Sequence, residues 1–217
     1  MSLDPHGWDR VPSHLPPQLL RTLRDEAFKA GSAGTRCLLD NPAVAEASRE
    51  VKRRLQALGI LPAAAVAIQA IAFNKTPEIN WKVAWHQDLM FPFARPVSSP
   101  GYDLPSRKAG IDYARPPLAV LEDLLAARLH LDDCHDQNGP LRVSPGTHRS
   151  GIMSSDHAAA AGRSGEVTCL AGEGDLILMK PLALHASSPS LIPGNRRVLH
   201  LVYHSGSRLP EAWHRAL

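Results

Sequence analysis

Hydrophobic positions in the first sixty residues recur at helical spacing. Leu19, Leu20, Leu23 and Phe28 follow Pro16 and Pro17, which predicts a helix with proline in its first turn and Gly31 as its stop. A second helix is predicted over residues 42–58, capped by Asp40 or Asn41 and ended by Gly59. Its Arg49, Lys52, Arg53 and Arg54 alternate with Glu46, Glu50 and Leu55, as on a solvated helix face. From residue 64 the pattern changes. Residues 64–73 form a short apolar run bounded by Pro62 and by the turn residues before Pro77, which predicts a buried strand. Further strand-like runs cover residues 128–132, 167–170, 175–179 and 198–203, separated by Gly, Pro and Asn. Residues 118–127 predict a short helix. Residues 91–117 hold six prolines and two glycines, a long connection of the kind that forms lids and binding loops. Helices followed by many short strands predict an α+β, mainly β chain with a sandwich or jelly roll in its second part. The division expected is a single domain over 1–217, with a helical part over 1–60, a β core over 64–205 and a substrate lid over 91–117.

Composition narrows the classes. The 217 residues suit one domain with a sizeable core, and 44% hydrophobic with 21% charged residues is ordinary for a globular protein. The net charge is +3 and the basic residues are scattered, so no nucleic-acid partner is expected. No apolar stretch reaches membrane-helix length. Cys37, Cys134 and Cys169 form no CxxC pair, which argues against a disulfide framework and for a reducing compartment. The first residues carry no signal-peptide pattern, so the expected location is cytoplasmic.

The sharpest chemical feature is Trp85-His86-Gln87-Asp88. Residues two apart on a strand share a face, so His86 and Asp88 can aim an imidazole and a carboxylate at one point. His185, which follows the strand-like run at 175–179, is the best candidate for a third ligand. Two histidines and one carboxylate on one face of a metal leave open positions, the arrangement of non-haem iron(II) that activates oxygen. A rival HxD, His130-Leu131-Asp132, runs into the turn-like Asp132–Asn138 stretch and lacks the tryptophans before His86. His130 is expected to be structural or to line the pocket. Before the last strand, Arg196 or Arg197 offers a guanidinium fork suited to a carboxylate. Alternation along the strand leaves both open.

Several segments, in order, resemble the phytanoyl-CoA dioxygenase-like branch of the iron(II)/2-oxoglutarate oxygenases. They are Asn80-Trp-Lys-Val-Ala-Trp-His-Gln-Asp88, Asn138-Gly-Pro-Leu-Arg-Val-Ser-Pro-Gly-Thr-His148, Gly174-Asp175 leading to His185-Ala-Ser-Ser-Pro, and Arg196-Arg-Val-Leu-His-Leu-Val-Tyr203. The resemblance implies a double-stranded β-helix (a cupin-like jelly roll) with N-terminal helices packed on it, and iron(II) on His86, Asp88 and His185. It implies that Arg196, preferred by its offset from His185, holds the distal carboxylate of 2-oxoglutarate with help from Ser187. Gln69, Asn74 and Lys75 are expected to add polar contacts. A small-molecule substrate would be oxidised by molecular oxygen, with release of succinate and carbon dioxide. Related halogenases lack the carboxylate, so Asp88 favours hydroxylation. The competing expectation is a catalytically silent or non-oxygenase metal-binding protein of the same fold, which would have no need of Arg196 and Ser187. His148 is expected in a loop and Asp175 at a turn. His200 can face either way, and Trp81 and Trp85 can pack or touch substrate. In residues 91–117, Tyr102, Arg107, Lys108, Tyr113 and Arg115 are candidates to recognise an acidic or aromatic substrate group.

Overall fold

The computed structural model describes residues 3–29, 31–162 and 165–217. A short helix α1 (Leu3–His6) and strand β1 (Trp8–Pro12) precede helix α2 (Pro17–Glu26), strand β2 (Gly34–Thr35) and helix α3 (Pro42–Ala57). Then come β3 (Val66–Lys75), β4 (Val83–His86), β5 (Phe91–Phe93), β6 (Asp103–Lys108) and β7 (Ile111–Arg115). Helix α4 (Leu118–Asp123) leads into β8 (Leu125–His130), β9 (Leu141–Val143), helix α5 (Ser155–Ala161) and β10 (Val167–Cys169). The last strands are β11 (Asp175–Met179), β12 (His185–Ser187) and β13 (Arg196–His204). They form a larger antiparallel sheet ordered β1-β11-β8-β13-β3-β2 and a smaller one ordered β10-β9-β12-β4, the two walls of a double-stranded β-helix.

Alternation along the strands divides the core. On β13, Leu199, Leu201 and Tyr203 point outward into a cluster with Leu23, Val44, Val51 and Leu55 of α2 and α3. Val202 points inward with Ile68, Ala126, Val143, Ile177 and Met179, between the two sheets. The helices therefore seal the outer face of the larger sheet. Asn41 caps α3 by accepting from the Val44 amide at 3.1 Å, and the Tyr203 hydroxyl donates to the Ser48 carbonyl at 2.8 Å, tying helix to sheet.

Four sequence expectations are corrected. The N-terminal part is not all helix, because β1 pairs with β11 and extends the larger sheet. Helix α2 stops at Glu26, well before Gly31, with the Ala27 amide closing its last turn on the Leu23 carbonyl. The helix predicted over 118–127 ends at Asp123; the residues after it are a central strand, its alanines packed into the core. Residues 91–117 are no loop but a third sheet ordered β5-β7-β6, anchored by Phe93 stacked on Trp213 at 4.9 Å. Prolines inside β5 and β6 (Pro92, Pro105), between those strands and after β7 masked that alternation. Cys37, Cys134 and Cys169 are unpaired, and no described helix is long and apolar enough to cross a membrane.

The seal between helices and sheet makes a prediction. Leu55 is fully enclosed, so Leu55→Ala should cost about 2–5 kcal/mol in urea unfolding. A loss below about 1 kcal/mol would show that α3 is not part of the cooperative core.

Candidate active site

Strand β4 pairs with β12 in a register that sets His86 directly opposite His185, with ring centroids 4.1 Å apart. Asp88 lies two residues past His86, its amide donating to the Pro181 carbonyl at 2.9 Å. Candidate ligand atoms of His86, Asp88 and His185 all lie within 4.8 Å of one another. The imidazole Nε2 atoms of His86 and His185 stand 3.7 and 3.6 Å from the two Asp88 oxygens. Each ring is oriented from behind. Nδ1 of His86 donates to the Ala84 carbonyl at 2.8 Å, and Nδ1 of His185 to the Ala183 carbonyl at 2.9 Å. A carbonyl only accepts, so the proton is on Nδ1 and the Nε2 lone pair is free for a metal.

The electrostatics suit a divalent cation. Burial pushes His185 down to about 4 despite the Asp88 carboxylate, which leaves it a neutral donor at neutral pH. Burial works against the charge on Asp88, but His185, His200, His86 and Arg128 outweigh it and hold the group at about 2. His200 is itself pushed down to about 3, by burial first and then by Arg128. Above that range Arg128 is the standing positive charge facing Asp88. An ionised carboxylate and two imidazoles whose Nε2 atoms converge on it fit a metal such as iron(II).

Gln87, overlooked in the sequence, locks this segment. It faces away from the ligands, its amide donating to the Gly151 and Leu182 carbonyls at 2.8 Å each, while the Met153 amide donates to its oxygen at 2.9 Å. Its signal was positional: between two residues sharing one face, the middle one must point into the opposite layer. The Pro145-Gly-Thr-His element acts through Thr147, whose hydroxyl accepts from the Leu184 amide at 2.9 Å, just before His185. His148 is turned away, 3.1 Å from the Asp4 carbonyl.

A cavity of about 500 Å³ opens beside the cluster. Gln69, Ser187, Arg196 and His200 line it, together with Ile71, Phe73 and Trp81. Register explains the polar floor: Arg196 pairs with Lys75 across β13 and β3, and His200 with Ile71. Arg196 is 5% exposed, its Nε is enclosed without a partner, and burial pushes it down to about 10. Arg197 faces the other way and takes Asp132 in a two-point ion pair at 2.8 and 2.9 Å, which leaves Arg196 as the fork in the cavity. Lys75 donates to the Ser187 hydroxyl at 3.1 Å and to the Ser188 carbonyl. Burial, then Arg196 and Arg128, push it down to about 7. Gly139 permits this packing. Its φ is +73°, and a Cβ there would stand 2.6 Å from the Ser188 carbonyl oxygen.

Other candidates fall elsewhere. Asn74 is one residue out of phase with Phe73 and Lys75 and bonds Asn195 at 2.9 Å, outside the cavity. Trp81 lines the cavity, whereas Trp85 lies flat against Gly162, with the Arg142 guanidinium over its ring. The five candidates within 91–117 do not line it. Arg115 pairs with Asp103, Arg107 faces Asp112, and Lys108 covers the Tyr113 ring. Tyr102 sits edge-on to Phe93. From that sheet, Phe91 and the exposed Leu104 reach the cavity. Asp175 makes a turn, its carboxylate accepting from the Gly172 amide at 2.9 Å.

The fold and the cluster together define a class: a double-stranded β-helix with two histidines and one carboxylate at the mouth of its barrel. Residues 21–198 match the phytanoyl-CoA dioxygenase (PhyH) family, and the chain belongs to that family. Among solved structures it is similar to EctD from S. alaskensis with bound Fe, at 18% identity and TM-score 0.67, covering 98% of this chain and 78% of that one. It is similar to HygX from Streptomyces hygroscopicus with nickel, 2-oxoglutarate and hygromycin B bound, at 16% identity and TM-score 0.61, covering 93% and 84%. AviO1 from Streptomyces viridochromogenes Tue57 aligns at 16% identity and TM-score 0.64, over 97% and 95%. At these identities the likeness is one of fold. A search of curated proteins returns no match.

The rival His130 is 1% exposed, with both ring nitrogens enclosed and unpartnered. Burial, then Arg128 and Arg196, push it from 6.5 down to about 3. Unfolded, it takes up a proton near 6.5; folded, only near 3. Between those values the unfolded chain binds the extra proton, so stability present above 6.5 is lost as pH falls towards 3. His130→Gln should therefore flatten the fall in urea midpoint between about pH 7 and about pH 5. Parallel slopes in the two proteins would refute this.

Proposed function

We propose that the protein is an iron(II)- and 2-oxoglutarate-dependent dioxygenase that hydroxylates or otherwise oxidises a small molecule. One observation carries the reading: the free Nε2 atoms of His86 and His185 converge on an ionised Asp88 beside a cavity floored by the unpaired, buried Arg196. Membership of the phytanoyl-CoA dioxygenase family supports it, as do the iron held by EctD and the 2-oxoglutarate held by HygX.

His86, Asp88 and His185 would hold the iron. Arg196 would grip the distal carboxylate of 2-oxoglutarate through its fork, with the Ser187 hydroxyl and Lys75 beside it. Gln69, whose Oε1 is enclosed without a partner, would contribute a polar contact from β3. When bound, the pair supplies the oxidative chemistry: oxygen is consumed as 2-oxoglutarate is decarboxylated to succinate and carbon dioxide and a substrate C–H bond is oxidised. The chain's part is to fix three ligands before the metal arrives, hold the cosubstrate by its far end, and keep the cavity walls apolar. Retention of Asp88 leaves no halide position among the ligands and supports hydroxylation.

Succinate formed with iron(II), oxygen and 2-oxoglutarate tests the reading. Wild type should produce succinate and Asp88→Ala none, while Arg196→Gln should weaken 2-oxoglutarate binding by about tenfold or more. Arg197→Gln should bind it like wild type. An iron-loaded protein that fails to bind 2-oxoglutarate sinks the proposal.

A second expectation concerns Lys75, which loses its proton near 7 when the cavity is empty. An anion bound beside it favours the protonated form, so 2-oxoglutarate affinity should fall as pH rises above about 7. Lys75→Met should remove that dependence while binding weakly throughout; an unchanged pH profile counts against a contact.

A further inference from the structure

Charges around the cavity do not balance once the proposed iron and 2-oxoglutarate are counted. Asp88 is the one carboxylate lining it among the described residues, against Arg36, Arg128 and Arg196. 2-Oxoglutarate has two carboxylates; the metal takes one end and Arg196 the other. Arg128 acts on Asp88 at a distance, but in that set it has no ligand partner of its own.

Arg128 is an unusual resident of its strand. It stands in β8 between alanine and leucine, inward-facing and directly opposite His200 of β13. Its side chain leans across β13 until the guanidinium carbon lies 5.7 Å from the centre of the Phe73 ring. One terminal nitrogen is spent on His200 Nδ1 at 3.2 Å. Nε is enclosed without a partner, and no ion pair to Arg128 is present among the described residues. Burial works against its charge, pushing its pKa below the usual arginine value. The guanidinium is only part-buried and lines the cavity, and its second terminal nitrogen has no acceptor among the described residues, so it can give a ligand oxyanion a charge-assisted hydrogen bond. Around it the walls are apolar and aromatic: Ile71, Phe73, Trp81 and Leu104. The exposed Arg36 also lines the cavity.

We propose that the primary substrate is a compact molecule with an apolar body and one oxyanion group, a carboxylate or a phosphate, which Arg128 binds. This rests on the oxygenase reading and names its substrate class. His200 is the positioning residue: its Nδ1 accepts from Arg128, and its Nε2 lies 3.9 Å from Asp88, so the anion is held close to the candidate metal ligands. The cavity, at about 500 Å³, is of ordinary size for a small ligand and cosubstrate together.

Calorimetry on the iron(II)-loaded, oxygen-free protein tests this in two stages. 2-Oxoglutarate is titrated first; no binding at that stage overturns the oxygenase reading itself. With 2-oxoglutarate saturating, phenylacetate, phenyl phosphate and the neutral phenylacetamide are then compared. One of the two anions should bind at least about tenfold more tightly than the amide, and which one identifies the group. Arg128→Gln should erase that preference and leave 2-oxoglutarate affinity unchanged. Arg128→Lys, which keeps the charge without the fork, should retain part of it. The proposal is overturned if the anions bind no better than the amide or do not bind. It is equally overturned if Arg128→Gln weakens 2-oxoglutarate instead, since Arg128 would then belong to the cosubstrate.

Discussion

Strand β4 is four residues long, yet its register on β12 decides whether the protein has a site at all. With His86 opposite His185, two imidazoles and the carboxylate of Asp88 converge. A slip of one residue would turn His86 to the other face of the sheet. Such a short strand cannot hold its register by its own hydrogen bonds. It is held by Gln87, whose amide reaches into two neighbouring segments, and by the Asp88 amide on Pro181. The apolar sandwich pins β12 from the other side through β9.

That arrangement places ionisable groups where burial is costly, and the larger sheet resolves the conflict by sorting its charges in space. Arg197 leaves the barrel and pairs with Asp132, so its charge is neutralised in the protein itself. Arg196 and Arg128 stay inside with no carboxylate in direct ion-pair contact among the described residues, although Arg128 faces Asp88 at longer range. Histidines in the same layer, His130 and His200, are kept neutral by burial and by those guanidinium groups. The interior is thus poor in negative charge, a condition that anionic ligands and a divalent metal together relieve. Binding and folding draw on the same electrostatics.

The layers outside the barrel have a mechanical part. Helices α2 and α3 cover the outer face of the larger sheet, so the inward face of β3, β13 and β8 can carry polar residues without losing its support. The third sheet, anchored through Phe93 and Trp213, sets Leu104 at the rim. Leu104 has a left-handed backbone, φ +50°, and is 57% exposed, so it is presented to whatever enters the cavity.

Much of this was written in the chain. Helical spacing of Leu19, Leu20 and Leu23 and the Asn41 cap announced the helical layer. The two-residue spacing of His86 and Asp88, with His185 behind another strand, announced the cluster, because side-chain alternation is a local property of any strand. The three-stranded sheet inside residues 91–117 stayed hidden, since its prolines and short strands give no periodic signal. Between Arg196 and Arg197, alternation stated that they face opposite ways but not which faces in; the Asp132 partner, distant in sequence, decided it. The roles of Arg128 and Gln87 emerged only in three dimensions, although the position of Gln87 between His86 and Asp88 already turned it to the opposite layer. What makes each of them matter is what stands opposite: His200 and Phe73 on neighbouring strands for Arg128, and Gly151, Met153 and Leu182 in distant segments for Gln87. Local chemistry fixes periodicity and capping, whereas partners far apart along the chain are chosen only when the sheets close.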